Sequence, residues 1–157
     1  MTVKQADAAQ PSDPGLIRNV VVVGPSGSGK TSLIEYLIAE SGAIDRPGTV
    51  ADGSTVCDRD PAAISHKRSV SLTVASIIWE SVAVNLIDTP GYVDFIGEVR
   101  AGMRAADAAL FVVSAVDGID ASTQQLWNEC ESLGLPRAVV VTNLDHERAD
   151  FDETVSV

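Results

Sequence analysis

Apolar and polar positions follow one another along the chain in blocks that predict strands and helices in turn. The apolar run at residues 16–23 predicts a buried strand, and apolar positions at helical spacing over residues 33–38 predict a helix after it. Two apolar runs at residues 70–79 and 82–87, separated by the polar pair Glu80-Ser81, predict an antiparallel hairpin. Runs at residues 109–113 and 138–141 predict two further strands.

Two more helices complete the pattern. One carries Phe95, Val99 and Met103 on one face, and the other begins at Asp120 and is ended by Gly134. Strands that alternate with helices predict an α/β domain with a mostly parallel sheet flanked by helices and one antiparallel hairpin. The polar first 15 residues, with two prolines, predict a disordered leader over residues 1–15 and a folded domain over residues 16–157.

Composition narrows the class of protein. The chain has 157 residues, of which 45% are apolar and 21% charged, as expected for one globular domain. The net charge of −11 argues against a broad DNA-binding surface. No apolar stretch reaches the ~18–20 residues of a membrane span, and no secretory signal is visible. We therefore expect a cytoplasmic protein that binds neither DNA nor membrane, and we take a monomer as the default expectation.

The most informative motif lies between the first strand and the first helix. It matches the phosphate-binding pattern G-x-x-x-x-G-K-[ST] in the strand-turn-helix context that this pattern requires. The glycines allow backbone N–H groups to surround a polyphosphate at the positive end of the helix. The lysine would contact the terminal phosphates, and the threonine hydroxyl would ligate Mg²⁺. The eight residues are Gly24, Pro25, Ser26, Gly27, Ser28, Gly29, Lys30 and Thr31.

A second motif, Asp88-Thr89-Pro90-Gly91, follows the second strand of the predicted hairpin. Open α/β sheets bind ligands at the carboxyl ends of their strands, where this turn is expected to lie. Asp88 could hold Mg²⁺ through a water molecule, and the Gly91 N–H could meet a γ-phosphate. The phosphate loop by itself fits kinases, ATPases and GTPases equally.

A third motif, Thr142-Asn143-Leu144-Asp145, closes the last predicted strand, and with it the chain resembles the G domain of translational GTPases. The resemblance is strongest to elongation factor G and elongation factor G-like proteins. It includes DTPGYVDF after the hairpin and DGSTVCDRDP in the polar segment at residues 41–67. It also includes GEVRAGMRAADAALFVVSAVDGID and LDHERADF, and it extends over residues 20–151.

The resemblance implies a role for each motif. The phosphate loop would hold the phosphates of GTP or GDP together with Mg²⁺, and residues 41–67 would form the first switch. Ser71, in Arg68-Ser69-Val70-Ser71, stands where the family has a threonine that ligates Mg²⁺. Asp145 matches the carboxylate that accepts two hydrogen bonds from guanine. Thr142 and Asn143 belong to the same base-binding motif.

Three departures from the family pattern change what we expect. Thr142 and Asn143 replace an Asn and a Lys, so the contacts by which that Asn braces the phosphate loop and that Lys covers the base are expected to be lost. Tyr92 replaces the histidine that positions the attacking water, which makes it the candidate catalytic residue. The family's G domain continues with a further helix and strand, so we expect the domain to be truncated before them.

The sequence therefore predicts the GTP-binding domain of an elongation factor G-like translation factor, with Mg²⁺-dependent GTP binding and ribosome-linked hydrolysis. The ribosome is the expected partner, through the complete factor. Two alternatives share these motifs: a guanine-nucleotide switch that does not hydrolyse GTP, and a ribosomal protection GTPase of the tetracycline-resistance type. An ATP-dependent kinase is disfavoured by Asp145 and by the Asp88 turn.

Overall fold

The protein forms one five-stranded sheet with helices on both faces, as seen in a computed structural model that describes residues 11, 13–57, 69 and 71–156. The strands are β1 (Ile17–Val23), β2 (Thr73–Trp79), β3 (Val82–Asp88), β4 (Ala108–Ser114) and β5 (Arg137–Thr142). The helices are α1 (Lys30–Glu40), α2 (Ile96–Ala105), α3 (Ala121–Ser132) and α4 (Phe151–Ser156), with 3-10 turns at Pro14–Leu16 and Val93–Phe95.

The sheet is mixed, in the order β2-β3-β1-β4-β5. β1 pairs in parallel with β3 on one side and β4 on the other, and β4 pairs in parallel with β5. The predicted α/β class, mostly parallel with one antiparallel pair, is confirmed. Since the chain order reverses on either side of β1, the carboxyl end of β1 is the place where an open α/β sheet binds ligands.

The antiparallel hairpin is formed by β2 and β3 and turns at Glu80 and Ser81. Both turn residues have positive φ, 46° and 72°, as a two-residue hairpin of right-handed twist requires. β2 begins at Thr73, the first residue paired, opposite Asp88, and the described residues 71 and 72 before it are not in the strand. Val70 itself lies outside the described residues.

The two faces of the sheet bury separate apolar clusters, and β1 contributes to both. Val22 points to the side of α1 and packs with Ile34 and Ile38. Its neighbours Val21 and Val23 point to the other side, where α2 and α3 pack. Successive strand residues point to opposite faces, so a run of valines at the centre of a sheet covered on both sides is expected.

α3 has the ends that the sequence predicts. The Asp120 carboxylate accepts a hydrogen bond of 2.7 Å from the Thr123 N–H, which satisfies one of the free donors of the first turn. Gly134, just beyond the helix, has φ 63°, the left-handed conformation that ends many helices.

The predicted disordered leader lies largely outside the described residues, which begin at Pro11 and, after a gap at residue 12, continue from Asp13. The predicted long loop over residues 41–67 is described up to Cys57, where it forms turns without helix or strand. Among the described helices, none has the length and apolar character needed to cross a bilayer.

Candidate functional site

The phosphate loop leaves β1 at Gly24 and enters α1 at Lys30. A Cβ at Gly24 would lie 2.2 Å from the Val112 carbonyl oxygen on the neighbouring strand, so no side chain fits there. Gly27 and Gly29 have φ of 84° and 88°, in the left-handed region that glycine adopts without strain. Gly29 also precedes α1 without a side-chain cap, so the first N–H groups of the helix face the loop interior.

Lys30 lies inside this loop and is only 6% exposed. Its ammonium donates hydrogen bonds of 2.9 Å to the carbonyls of Gly24 and Pro25, which fold it across the loop. The charge of Lys30 also acts on Asp120 at the start of α3. Burial raises the pKa of Asp120, but hydrogen bonds from Thr123 and Ser122 and the charge of Lys30 lower it further than burial raises it.

A cluster of oxygen atoms lies next to Lys30. The Thr31 hydroxyl donates a hydrogen bond of 2.8 Å to the Asp88 carboxylate, which is 1% exposed at the end of β3. The Ser69 hydroxyl lies 3.3 Å from the Thr31 hydroxyl. Two hydroxyls and one carboxylate are the hard oxygen donors that Mg²⁺ prefers, so this cluster fits the expected ion.

Ser69 is a residue that sequence reasoning missed. Ser71 was the expected hydroxyl, but its side chain is exposed and does not line the pocket beside Thr31. The sequence offers two serines on either side of Val70, and the structure places Ser69 beside Thr31 and leaves Ser71 exposed.

The Asp88-Thr89-Pro90-Gly91 turn packs directly on the phosphate loop. The Thr89 hydroxyl donates a hydrogen bond of 2.6 Å to the Val22 carbonyl of β1, which fixes the start of the turn. The Gly91 carbonyl accepts a hydrogen bond of 3.0 Å from the Ser26 N–H of the loop. A Cβ at Gly91 would lie 2.5 Å from the Ser26 nitrogen, so the approach requires glycine.

Together the two motifs form an open pocket of about 260 Å³. Val50 and Ser32 line it in addition to the expected residues, and nothing in their sequence context pointed to them. Tyr92 lines this pocket and also a cavity of about 20 Å³ between the Asp88 turn and α3. The lining residues are Ser26, Gly27, Gly29, Lys30, Thr31, Ser32, Val50, Ser69, Gly91 and Tyr92.

The third motif meets the phosphate loop through Thr142. Its hydroxyl lies 2.7 Å from the Ser28 carbonyl and 3.2 Å from the Val113 carbonyl, and it donates to the nearer of them. The expectation that the loop brace is lost is therefore wrong, because a threonine hydroxyl makes such a contact here. Asn143, at φ 56°, directs its amide to the Ser114 hydroxyl, at 3.1 Å.

The remaining predicted residues lie around the pocket and not in its wall. Gly24 and Pro90 line the small neighbouring cavity, and Ser28, within the loop, is buried. Asp145 is exposed on the turn after β5, three residues beyond Thr142, at the same edge of the sheet as the phosphate loop. The three motifs thus share one edge, with the carboxylate of the third still open to solvent.

Comparison with known proteins shows which family the chain belongs to. The model of the family described as the elongation factor Tu GTP binding domain matches residues 15–157. The chain is 54% identical over 158 aligned residues to the elongation factor G-like protein of Mycobacterium tuberculosis, covering 99% of this chain and 22% of that protein. It is 37% identical to the mitochondrial ribosome-releasing factor 2 of Candida dubliniensis, covering 88% of this chain and 17% of that protein.

A solved structure agrees with the fold. A crystal structure of a protein from Thermus thermophilus superposes with a TM-score of 0.84 at 45% identity, covering 89% of this chain and 21% of the other. The chain thus spans about a fifth of the length of the first relatives that it matches.

The Thr142 contact leads to a prediction about stability. Replacing Thr142 by Val keeps the shape of the side chain but removes the hydroxyl that donates a hydrogen bond to the Ser28 carbonyl. We expect Thr142→Val to lower the free energy of unfolding by about 1 kcal/mol, measured by chemical denaturation. Thr142→Ser keeps the hydroxyl and is the control. Equal losses in the two variants would mean that the hydrogen bond contributes nothing.

Proposed function

The chain belongs to the family defined by the elongation factor Tu GTP-binding domain, and on that premise we propose that it binds GTP and GDP with Mg²⁺ as the nucleotide-binding part of an elongation factor G-like translation factor. The observation that carries the proposal is the convergence of Lys30, Thr31 and Gly91 on one pocket at the carboxyl edge of the sheet, with Asp88 hydrogen-bonded to Thr31 beside it. This is the combination of groups with which such domains hold a Mg²⁺-bound triphosphate.

Each group has a distinct task in the proposed complex. The N–H groups of the loop and the start of α1 would bind the α- and β-phosphates, and Lys30 would turn from the carbonyls of Gly24 and Pro25 to the terminal phosphates. Thr31 and Asp88 would hold Mg²⁺, which when bound offsets charge on the phosphates. We assign the additional hydroxyl to Ser69 and not Ser71, because Ser69 lies beside Thr31.

Base selection is assigned to Asp145. A carboxylate accepts hydrogen bonds and donates none, so it matches the N1–H and amino group that guanine presents together. Adenine lacks that pair of donors and would leave the carboxylate unsatisfied. Thr142 supports this selection indirectly, since its hydrogen bond to Ser28 links the base-binding turn to the phosphate loop.

We further propose that the complete factor hydrolyses GTP in contact with the ribosome, as a cytoplasmic monomer. The relatives that support this role include an elongation factor G-like protein and a mitochondrial ribosome-releasing factor. In the hydrolytic step a water molecule would attack the γ-phosphate near Tyr92, which lines the pocket.

A switch that binds GTP without hydrolysing it is a second candidate, favoured by Tyr92. A phenol can position water by a hydrogen bond, but it carries no positive charge at neutral pH. A phosphate-release assay with ribosomes, on the protein that carries this domain, separates the two candidates, since the switch would release no phosphate above the level of ribosomes alone.

Lys30 supplies the first test of nucleotide binding. Lys30→Ala removes the ammonium from the centre of the loop. We expect affinity for Mg·GTP to fall about 10- to 100-fold, which corresponds to the free energy that hydrogen bonds to a charged group contribute. Isothermal calorimetry measures this affinity. Arg104→Ala removes the same charge from the exposed side of α2 and should bind as the unmodified chain does. Equal affinities for the unmodified chain and both variants would show that the phosphate loop does not bind the nucleotide.

Asp145 supplies the test of base selection. Asp145→Asn replaces one acceptor oxygen by an amino group, which matches the C2 oxygen of xanthine and not the amino group of guanine. We expect preference to shift from GTP to XTP, measured by competition against a fluorescent nucleotide. Asp152→Asn, on the exposed face of α4, should keep the original preference. If Asp145→Asn keeps it too, another residue selects the base.

Tyr92 supplies the test of hydrolysis. An imidazole at this position can orient water beside the γ-phosphate, so we expect Tyr92→His to hold or raise the ribosome-stimulated rate of phosphate release. Tyr36→His changes a tyrosine that is 66% exposed on α1 and should leave the rate unchanged. A Tyr92→His variant that binds GTP normally but hydrolyses it far more slowly would show that the phenol itself is the adapted group.

A further inference from the structure

Glu35 is a buried acid that the nucleotide site described above does not use. It lies in the middle of α1, and its exposed fraction is 0%. Removing a carboxylate from water is costly unless strong hydrogen bonds replace those to the solvent. The structure shows where those bonds come from.

Both oxygens of Glu35 accept hydrogen bonds from backbone N–H groups of the segment that follows α1. Oε2 accepts one of 2.9 Å from Gly48, and Oε1 accepts one of 2.5 Å from Val56. A carboxylate that accepts from backbone N–H groups forms charge-assisted bonds, stronger than those between neutral groups. Glu35 thus fastens both ends of the segment Gly48 to Val56, here called the 48–56 loop.

The 48–56 loop is closed by its own hydrogen bonds as well. The Thr49 N–H donates to the Ser54 hydroxyl at 3.0 Å, and the Ser54 N–H donates to the Thr49 carbonyl at 3.2 Å. The Thr49 hydroxyl donates to the Asp52 carboxylate at 2.8 Å. At the narrow point a Cβ on Gly48 would lie 2.4 Å from the Ser54 carbonyl oxygen. The loop is therefore a compact unit held together by its own hydrogen bonds.

Apolar side chains before and after the 48–56 loop pack in the core. Ala43 and Ile44 before it and Cys57 after it are buried in the same cluster as Ile34 and Ile38 of α1. Glu35 lies on the same helix between Ile34 and Ile38. The hydrogen bonds of Glu35 and the apolar contacts of Ile34 and Ile38 therefore attach the segment after α1 to the same stretch of the helix. What the loop presents to the phosphate pocket is Val50, which is half-buried and lines its wall.

We propose that Glu35 is a positioning residue that, through the 48–56 loop, holds Val50 over the phosphate pocket and so slows the release of bound guanine nucleotide. The inference rests on the proposed nucleotide binding and adds to it the element that controls dissociation. Glu35 suits this task because both of its oxygens accept, whereas a glutamine would place N–H donors against one of the two backbone N–H groups.

The direct test measures the dissociation rate of a fluorescent GDP from the unmodified chain and from Glu35→Gln. We expect dissociation to become about tenfold faster, the effect of losing one buried hydrogen bond and leaving a donor unsatisfied. The association rate should change much less, because the phosphate loop itself is intact. Glu40→Gln is the matched control: it removes the same charge from the exposed end of the same helix and should dissociate GDP at the original rate.

A double-mutant cycle separates positioning from general destabilisation. Val50→Ala should speed GDP dissociation by itself, and Glu35→Gln should then add little in the Val50→Ala background, since both changes remove the same cover. Independent, multiplying effects would overturn the proposal, and so would a Val50→Ala chain that releases GDP at the unmodified rate. The second criterion holds even if Glu35→Gln fails to fold.

The experiment also distinguishes two kinds of failure. If the unmodified chain binds no guanine nucleotide, the proposed function is wrong and the role of Glu35 in dissociation falls with it. If the unmodified chain binds GDP but Glu35→Gln releases it no faster, nucleotide binding stands and the positioning role alone is wrong.

Discussion

The parallel pairing of β1 with a strand on each side is the constraint on which the rest of the structure depends. Val22 of β1 lies opposite Asp88 of β3, and Val23 lies opposite Phe111 of β4. This register ends β1 and β3 almost level, so the loop after β1 and the turn after β3 emerge side by side. The hydrogen bond from Thr31 to Asp88 is a consequence of that register, since neither residue would reach the other after a shift of two positions.

The site is built around a buried lysine in a protein whose net charge is negative. The net charge is −11, yet the pocket is built around a buried lysine and the N–H groups at the start of α1 that have no partner within the helix. The charge of the whole molecule acts mainly on solubility and long-range encounter, whereas a bound phosphate would interact with groups within a few ångströms. A strongly acidic domain can therefore bind a polyanion, although its negative net charge by itself would suggest repulsion.

Sequence reasoning located the elements of this fold well, because strands and helices here follow local periodicity. It placed β1, α3 and the hairpin within a few residues, and it predicted the phosphate loop and the Asp88 turn from their residue patterns and from the strands before them. It missed Ser69 and Val50 and misjudged Thr142. Those three depend on how loops cross the sheet edge, a property of tertiary packing that no local pattern contains.

The substitution at Thr142 in the base-binding motif and the one at Tyr92 differ in how far they keep the hydrogen-bonding chemistry of the family residue. Thr142 makes the contact to Ser28 with a hydroxyl, so donor and acceptor chemistry at the loop is kept although the residue type is changed. Tyr92 places a phenol, which is longer than an imidazole, where it lines both the phosphate pocket and the small cavity between the Asp88 turn and α3. A packing role and a water-positioning role place opposite demands on that ring, since the first favours a fixed side chain and the second requires its hydroxyl to face the phosphates.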